Sequence, residues 1–315
     1  MQPAAALIVT GATASGKTAL ATWLSDQLGG RLISVDSAQI YRGMDIGTAK
    51  PSAAELAQHP HALIDILDPA EAYSAARFVA DASQAMCAAW EAGEMPILVG
   101  GTMLYLRALQ QGLAQLPAAD AELRAELQQQ LQQQGALALH QQLQRLDPLA
   151  AEQIHPNDPQ RLLRALEISL LSGRPMTALW RESSARVPHI TYCKLKLDLD
   201  RSLLHQRIAT RFAAMIEQGL VAEVEKLYQR GDLSPANPSM RCVGYRQVWD
   251  YLQGGLSHGE MVERGTIATR QLAKRQMTWM RSMKDGCWLD SSSASVKGEA
   301  LSIVERCLRQ LLKSC

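Results

Sequence analysis

Apolar positions along the chain first cluster in short unbroken runs. Leu7, Ile8 and Val9 form one, stopped by Gly11. Arg31-Leu32-Ile33-Ser34-Val35 and Met95-Pro96-Ile97-Leu98-Val99 form two more. Short apolar runs closed by turn residues read as buried strands. Between them, residues 18–28 and 75–92 have the Ala-rich texture of helices. Strands alternating with helices predict an α/β fold built on a parallel sheet. After about residue 116 the pattern changes. Residues 120–144 are rich in Gln, Leu, Ala and Glu, with Leu123, Leu127 and Leu131 four apart. That spacing predicts an amphipathic helix. A second helix is expected from Asp158, an N-cap followed by Pro159 at the first helical position. Alternation returns at 190–199, where Lys194, Lys196 and Asp198 interleave with Leu195, Leu197 and Leu199. The pattern therefore predicts a core of 1–114 with 189–315, interrupted by a helical insertion at 115–188. Residues 291–295 read as a polar loop, and a last helix is expected over 300–312.

Composition narrows the class. The 315 residues suit about two domains, and 47% hydrophobic with 20% charged residues is globular composition. Lys plus Arg is 32 against 31 for Asp plus Glu. Total charge therefore names no partner, and any nucleic-acid site must be a local basic patch. Cys87, Cys193, Cys242, Cys287, Cys307 and Cys315 form no C-x-x-C pair and no zinc spacing. They are expected to be free thiols in a reducing compartment. With no signal-like N-terminus and no apolar run near the roughly 20 residues of a membrane span, a cytoplasmic chain without a membrane partner is expected.

One motif carries chemistry directly. Gly11, Ala12, Thr13, Ala14, Ser15, Gly16, Lys17 and Thr18 fit G-x-x-x-x-G-K-[ST], after a predicted strand and before a predicted helix. Such a P-loop turns backbone N–H groups toward phosphate oxygens, and the helix N-terminus adds positive potential. Lys17 supplies a point charge for the outer phosphate, and Thr18 can ligate Mg²⁺. A hydrolysing nucleoside triphosphatase usually also has an apolar strand ending in an Asp that holds the metal. The strand at 97–99 runs instead into Gly100, Gly101 and Thr102, while the strand at 32–35 ends in Asp36.

With D-S-A-Q-I-Y-R-G-M-D-I-G-T-A-K-P at 36–51 and G-G-T-M-L-Y at 100–105 added, the chain resembles the tRNA dimethylallyltransferases, also called tRNA isopentenyltransferases. The likeness continues in order through N-D-P-Q-R-L-L-R-A-L-E at 157–167, R-C-V-G-Y-R at 241–246 and T-R-Q-L-A-K-R-Q-M-T-W at 269–279. It is to the bacterial type. Ala12 stands where the family commonly has Pro. The resemblance implies transfer of a dimethylallyl group from dimethylallyl diphosphate to N6 of the adenosine just 3′ of the anticodon. The tRNAs concerned read codons beginning with U. A diphosphate donor accounts for a phosphate loop without a hydrolytic Asp.

Within that reading, Asp36 is the expected base for the poorly nucleophilic N6 amine. Thr102 is expected to bond the amine or orient Asp36. Ser37, Ala38 and Gln39 would lie at the target nucleotide, with the Gln39 amide suited to an adenine edge. The departing pyrophosphate calls for an Arg as well as Lys17. Arg207 and Arg211, one turn apart on a predicted helix, both qualify. The tRNA anticodon stem-loop is expected on three further segments. Gln160, Arg161, Leu162, Leu163 and Arg164 form one, although the leucines fall on the apolar face. Arg241, Cys242, Val243, Gly244, Tyr245 and Arg246 form the second, with Tyr245 placed for stacking. The third lies in 264–284, which holds six basic residues and no acid. There Lys274, Arg275, Trp279 and Arg281 are the candidates, and Arg270, Lys274, Arg281 and Lys284 share one helical stripe. Arg124 is a further candidate contact. A monomer is expected. Three rival readings stand beside this one: a P-loop kinase consuming ATP, an isopentenyltransferase acting on a free nucleotide, and a nucleotide-dependent RNA-binding switch.

Overall fold

The computed structural model describes residues 4–112, 114, 116–183 and 190–313. The expected insertion limits at 115, 188 and 189, and Cys315, lie outside them. The chain divides into two compact units, Met1–Leu106 with His189–Cys315, and Arg107–Pro188.

The first unit opens with β1 (Ala5–Gly11), α1 (Lys17–Leu28), β2 (Gly30–Val35), α2 (Ala53–Gln58), β3 (His61–Ala62), α3 (Ala75–Glu91) and β4 (Met95–Gly100), after which α4 (Met103–Gln111) leads out. The second unit holds α5 (Ala121–Leu146), α6 (Pro148–Gln153), α7 (Pro159–Ser172) and α8 (Met176–Ser183). The chain returns through β5 (Thr191–Asp198), α9 (Arg201–Glu217), α10 (Leu220–Gln229), α11 (Tyr245–Leu252), α12 (His258–Ser282), β6 (Cys287–Asp290) and α13 (Val296–Lys313).

The six strands form one parallel sheet in the order β3-β2-β4-β1-β5-β6. Leu7 of β1 pairs with Ile97 of β4 on one side and Cys193 of β5 on the other. Helices cover both faces, so the central strands read as unbroken apolar runs rather than alternating ones. Leu7, Val9, Ile97, Val99, Leu195 and Leu197 share one core cluster with Leu20 and Leu24 of α1. The two lysines of β5 are buried as well. Lys194 is paired with Asp285, and Lys196 donates to the Met283 carbonyl at 3.1 Å. This topology brings the ends of β1, β2 and β4 together at the carboxyl edge, where open α/β sheets seat ligands.

In the helical unit, Leu127, Leu139 and Leu143 of α5 pack with Leu162 and Leu166 of α7. The helix expected at 120–144 exists, but Gly135 (φ 80°, ψ 166°) breaks its geometry. Asp158 caps α7 by accepting from the Arg161 N–H at 3.2 Å. No helix among the described residues is long and apolar enough to cross a membrane.

Candidate functional site

β1 ends at Gly11, and the chain wraps through residues 12–16 into the first turn of α1. Gly16 takes φ 89°, the left-handed region open to glycine. Ala14 takes φ 65° there as well, at a cost on the order of 1–3 kcal/mol that the surrounding loop must offset. Ser15 Oγ is buried and has no hydrogen-bond partner. A strained loop with an unspent hydroxyl is built around a group it does not itself contain. Burial lowers the Lys17 ammonium to about 8; Asp36 opposes that shift and Arg211 adds to it.

β2 delivers Asp36 beside this loop. Asp36 Oδ1 accepts from the Ala38 N–H at 2.8 Å and the Gln39 N–H at 3.4 Å, which closes a turn. Oδ2 takes no described hydrogen bond. Thr102, just past β4, does not orient Asp36 directly. Its hydroxyl accepts from the Ser37 N–H at 3.1 Å and so fixes the neighbouring residue. Gln39 departs from expectation more sharply. Its amide donates to the Thr48 and Ala49 carbonyls (3.3 and 3.2 Å) and accepts from Ser34 (3.2 Å), so it is spent on holding the loop. Two charged groups hold the rest of that loop. Lys50 donates to the Tyr41 carbonyl at 2.9 Å and pairs with Asp45 and Asp65. The Glu223 carboxylate of α10 accepts from the N–H groups of Asp45, Ile46 and Gly47 (2.9, 2.8 and 3.2 Å).

These groups open onto a cavity of about 560 Å³ lined by Thr13, Lys17, Asp36, Ser37, Ala38 and Thr102 on the sheet side. α9 supplies Arg211, whose guanidinium donates to the Thr13 hydroxyl and is held below its ordinary value by burial, with Asp36 opposing. Arg207, one turn earlier, is not a lining residue. Apolar walls come from Ile208, Phe212 and Met215 of the same helix. α12 adds Arg275, Gln276 and Trp279. Gln276 was not foreseen as a site residue. Its Oε1 accepts from the Thr13 N–H at 2.8 Å, and its Nε2 donates to the Gly101 carbonyl at 3.0 Å. A Cβ at Gly101 would lie 2.4 Å from that Nε2, which is why glycine stands there. One amide thus ties the phosphate loop to the end of β4. Its residue was legible only as part of a basic helical segment.

The RNA candidates sort unevenly. Arg241, Cys242 and Val243 line the cavity. Burial, then Asp36, pushes the Cys242 thiol up to about 12, so it stays neutral. Gly244 is buried and Arg246 exposed. Tyr245 is fully buried with its hydroxyl donating to Glu223 at 2.5 Å, so it cannot stack on a base. Leu162 is fully buried and Leu163 packs against the same core, which removes both from any RNA surface. Arg124 and Arg164 each bond the buried Glu167 at 2.8 Å, and Arg164 also reaches the Pro117 carbonyl at 2.9 Å. Their first task is neutralising that carboxylate. Gln160 and Arg161 remain exposed. On α12, Lys274 and Arg281 face away from the cavity that Arg275 and Trp279 line.

Thr18 is exposed at the start of α1. Among the described residues, no group of three His, Cys, Asp or Glu side chains is placed to hold a metal ion. One hard oxygen donor beside a phosphate cradle fits an ion such as Mg²⁺ that arrives with its diphosphate, since Mg²⁺ commonly takes few protein ligands plus phosphate oxygens and water.

A model of the family described as IPP transferase matches residues 39–283. A tRNA isopentenylpyrophosphate transferase from Bacillus halodurans is 36% identical, with 99% of each chain covered and a TM-score of 0.73. A tRNA delta(2)-isopentenylpyrophosphate transferase from Staphylococcus epidermidis is 31% identical over 96% of this chain and 99% of its own, with a TM-score of 0.68. A eukaryotic dimethylallyltransferase acting on tRNA is 26% identical over 95% of this chain and 78% of its own, with a TM-score of 0.81.

Proposed function

The chain belongs to the IPP transferase family, and on that premise we propose that it transfers the dimethylallyl group of dimethylallyl diphosphate to N6 of the adenosine just 3′ of the anticodon. The acceptors are tRNAs that read codons beginning with U. The observation that carries this reading is the single cavity in which Lys17, Arg211 and Asp36 meet beside apolar walls from α9. Those are the parts a diphosphate, an allyl group and an amine nucleophile each require.

Lys17 and the loop N–H groups hold the diphosphate, with Arg211 at the same loop through Thr13. Ile208, Phe212 and Met215 line the space for the hydrocarbon and exclude water. N6 attacks the allylic carbon as the carbon–oxygen bond to the diphosphate breaks. The N6 proton passes to Asp36, and pyrophosphate leaves with its charge compensated by Lys17 and Arg211. Mg²⁺, held by Thr18 and the diphosphate, would neutralise leaving-group charge. Cys242 has no covalent role, because direct displacement needs no enzyme-bound intermediate and its thiol is neutral. The adenine must leave its stack to enter the cavity. Arg241, Arg275 and Trp279 at the lining, with Arg246, Lys274 and Arg281 beyond it, supply phosphate contacts and a stacking face. In the helical unit, exposed Gln160 and Arg161 are the side chains left to meet the RNA. We take the acting form to be a monomer, and a tRNA substrate fits a cytoplasmic enzyme.

The free-nucleotide and kinase readings leave the α12 cations and the helical unit without a role. The test is Asp36→Ala. Transfer to an unmodified anticodon stem-loop should be abolished while RNA affinity is largely kept. Loss of RNA binding in step with loss of folding would remove Asp36 from the role of base.

A further inference from the structure

The far face of α12 lines a second cavity, of about 780 Å³, that the transfer step does not use. Arg270, Lys274 and Arg281 line it. At 100° per residue they lie opposite the Arg275, Gln276 and Trp279 face that meets the catalytic cavity. The carboxyl ends of β5 and β6 contribute Asp198 and Asp290, and the first turns of α9 contribute Arg201 and His205. Trp288 lines it too and stays 40% exposed. The Lys196 ammonium, 4.7 Å from the Trp288 ring centroid, helps hold that ring in place.

Four cations, Arg201, Arg270, Lys274 and Arg281, face three carboxylates, Asp198, Asp200 and Asp290. The carboxylates keep their charge, but each is held by the backbone. Asp198 accepts from the Leu199 N–H at 2.9 Å, Asp290 from the Ser292 N–H at 2.8 Å, and Asp200 from the Ser202 N–H at 2.8 Å. Arg201, Arg270, Lys274 and Arg281 have no ion-pair partner among the described residues, and Arg270 Nε is buried without a hydrogen bond. Burial pushes the His205 imidazole down, and the neighbouring Arg270 and Arg201 charges add to that shift. Unspent cations beside a held aromatic ring fit a phosphate joined to a flat base.

We infer that this cavity is a second nucleotide subsite, taking an unstacked nucleotide of the same RNA strand whose adenine enters the catalytic cavity. The inference rests on the tRNA-modification reading. Continuity favours RNA over a free nucleotide. The two cavities lie on opposite faces of one helix, about 10–12 Å across with its side chains, and the cations of α12 run along both.

The test titrates the full-length protein into a labelled, unmodified anticodon stem-loop and reads fluorescence anisotropy at several salt concentrations. Trp288→Ala should weaken binding by roughly 5- to 150-fold, the range of one lost base stack. Trp288→Phe should restore most of it, which a merely structural role for the indole would not require. Arg270→Gln should lower the slope of log affinity against log salt by about 0.7–0.9. If Trp288→Ala melts early, Trp288→Phe and Arg270→Gln carry the test. Binding by folded Trp288→Ala within twofold of wild type, or an unchanged slope for Arg270→Gln, would overturn the subsite. Saturation by adenosine or cytidine monophosphate that depends on Trp288, with stem-loop affinity unchanged, would overturn the RNA assignment in favour of a free nucleotide. A wild-type protein that fails to transfer would sink the proposed reaction, yet these affinities would still be read, so the two failures are separable.

Discussion

Gln276→Glu keeps the side chain's shape and its acceptor for the Thr13 N–H, but replaces the Nε2 donor that faces the Gly101 carbonyl at 3.0 Å with an oxygen. Losing that bond removes about 0.5–1.5 kcal/mol, and leaving the buried carbonyl unpaired costs about 1–3 kcal/mol. The variant also brings a negative charge to the loop that must hold a diphosphate. Unit charges 4–8 Å apart at an effective dielectric near 20 interact by about 2–4 kcal/mol. Gln276→Ala loses both hydrogen bonds but adds no charge. Calorimetric titration with inorganic pyrophosphate and Mg²⁺ separates the two effects. The expected losses of affinity are about tenfold for Gln276→Ala and about 100-fold or more for Gln276→Glu. Thermal unfolding run alongside should show the two variants similarly stable. Gln276→Ala binding pyrophosphate as tightly as wild type would refute the view that this amide positions the diphosphate loop, and Gln276→Glu matching Gln276→Ala would place the diphosphate away from residue 276.

The depressed Lys17 ammonium gives a pH test. In the free protein Lys17 is charged below about 8 and neutral above it. Bound diphosphate favours the charged form, so affinity should fall as pH rises through 8, approaching tenfold per unit, and Lys17→Arg should flatten the profile. Glu223→Ala leaves the Tyr245 hydroxyl buried without its acceptor, along with three backbone donors of the loop. It should lose at least about 1–3 kcal/mol in urea unfolding, and more than Tyr245→Phe. Glu167 meets a burial penalty, but Arg164, Arg124 and the Asp120 N–H outweigh it and hold the carboxyl below its usual 4.5. Its contribution is present above that pH and fades as acid protonates it. Glu167→Gln should therefore differ most from wild type near neutrality and least in strong acid, by melting temperature.

Much of this was legible in sequence, because local chemistry fixed it. The phosphate loop needs Gly16 and Lys17 at set spacing, and the apolar runs at 7–9 and 97–99 became the central strands that a two-sided cover demands. β3 and β6 escaped notice because two- and four-residue strands carry no periodic signal. The misread side chains share one cause. Gln39 and Tyr245 are residue types suited to RNA, and nothing local marks them as spent on Thr48 and Glu223. Those partners lie 9 and 22 residues away in sequence. Gln276 was missed for the converse reason. Its bonds span 263 and 175 residues, so only the fold gives it a role at the phosphate loop. Leu162 and Leu163 were the errors the pattern itself could have prevented, since both fell on the apolar face of their helix.

The central claim is tested most directly by incubating the protein with Mg²⁺, dimethylallyl diphosphate and an unmodified anticodon stem-loop bearing adenines after the anticodon. Mass spectrometry then reads the RNA. One added dimethylallyl group on the adenosine just 3′ of the anticodon is the predicted result. Addition to free adenosine nucleotides but not to RNA, or ATP consumption with no addition to either, would contradict it.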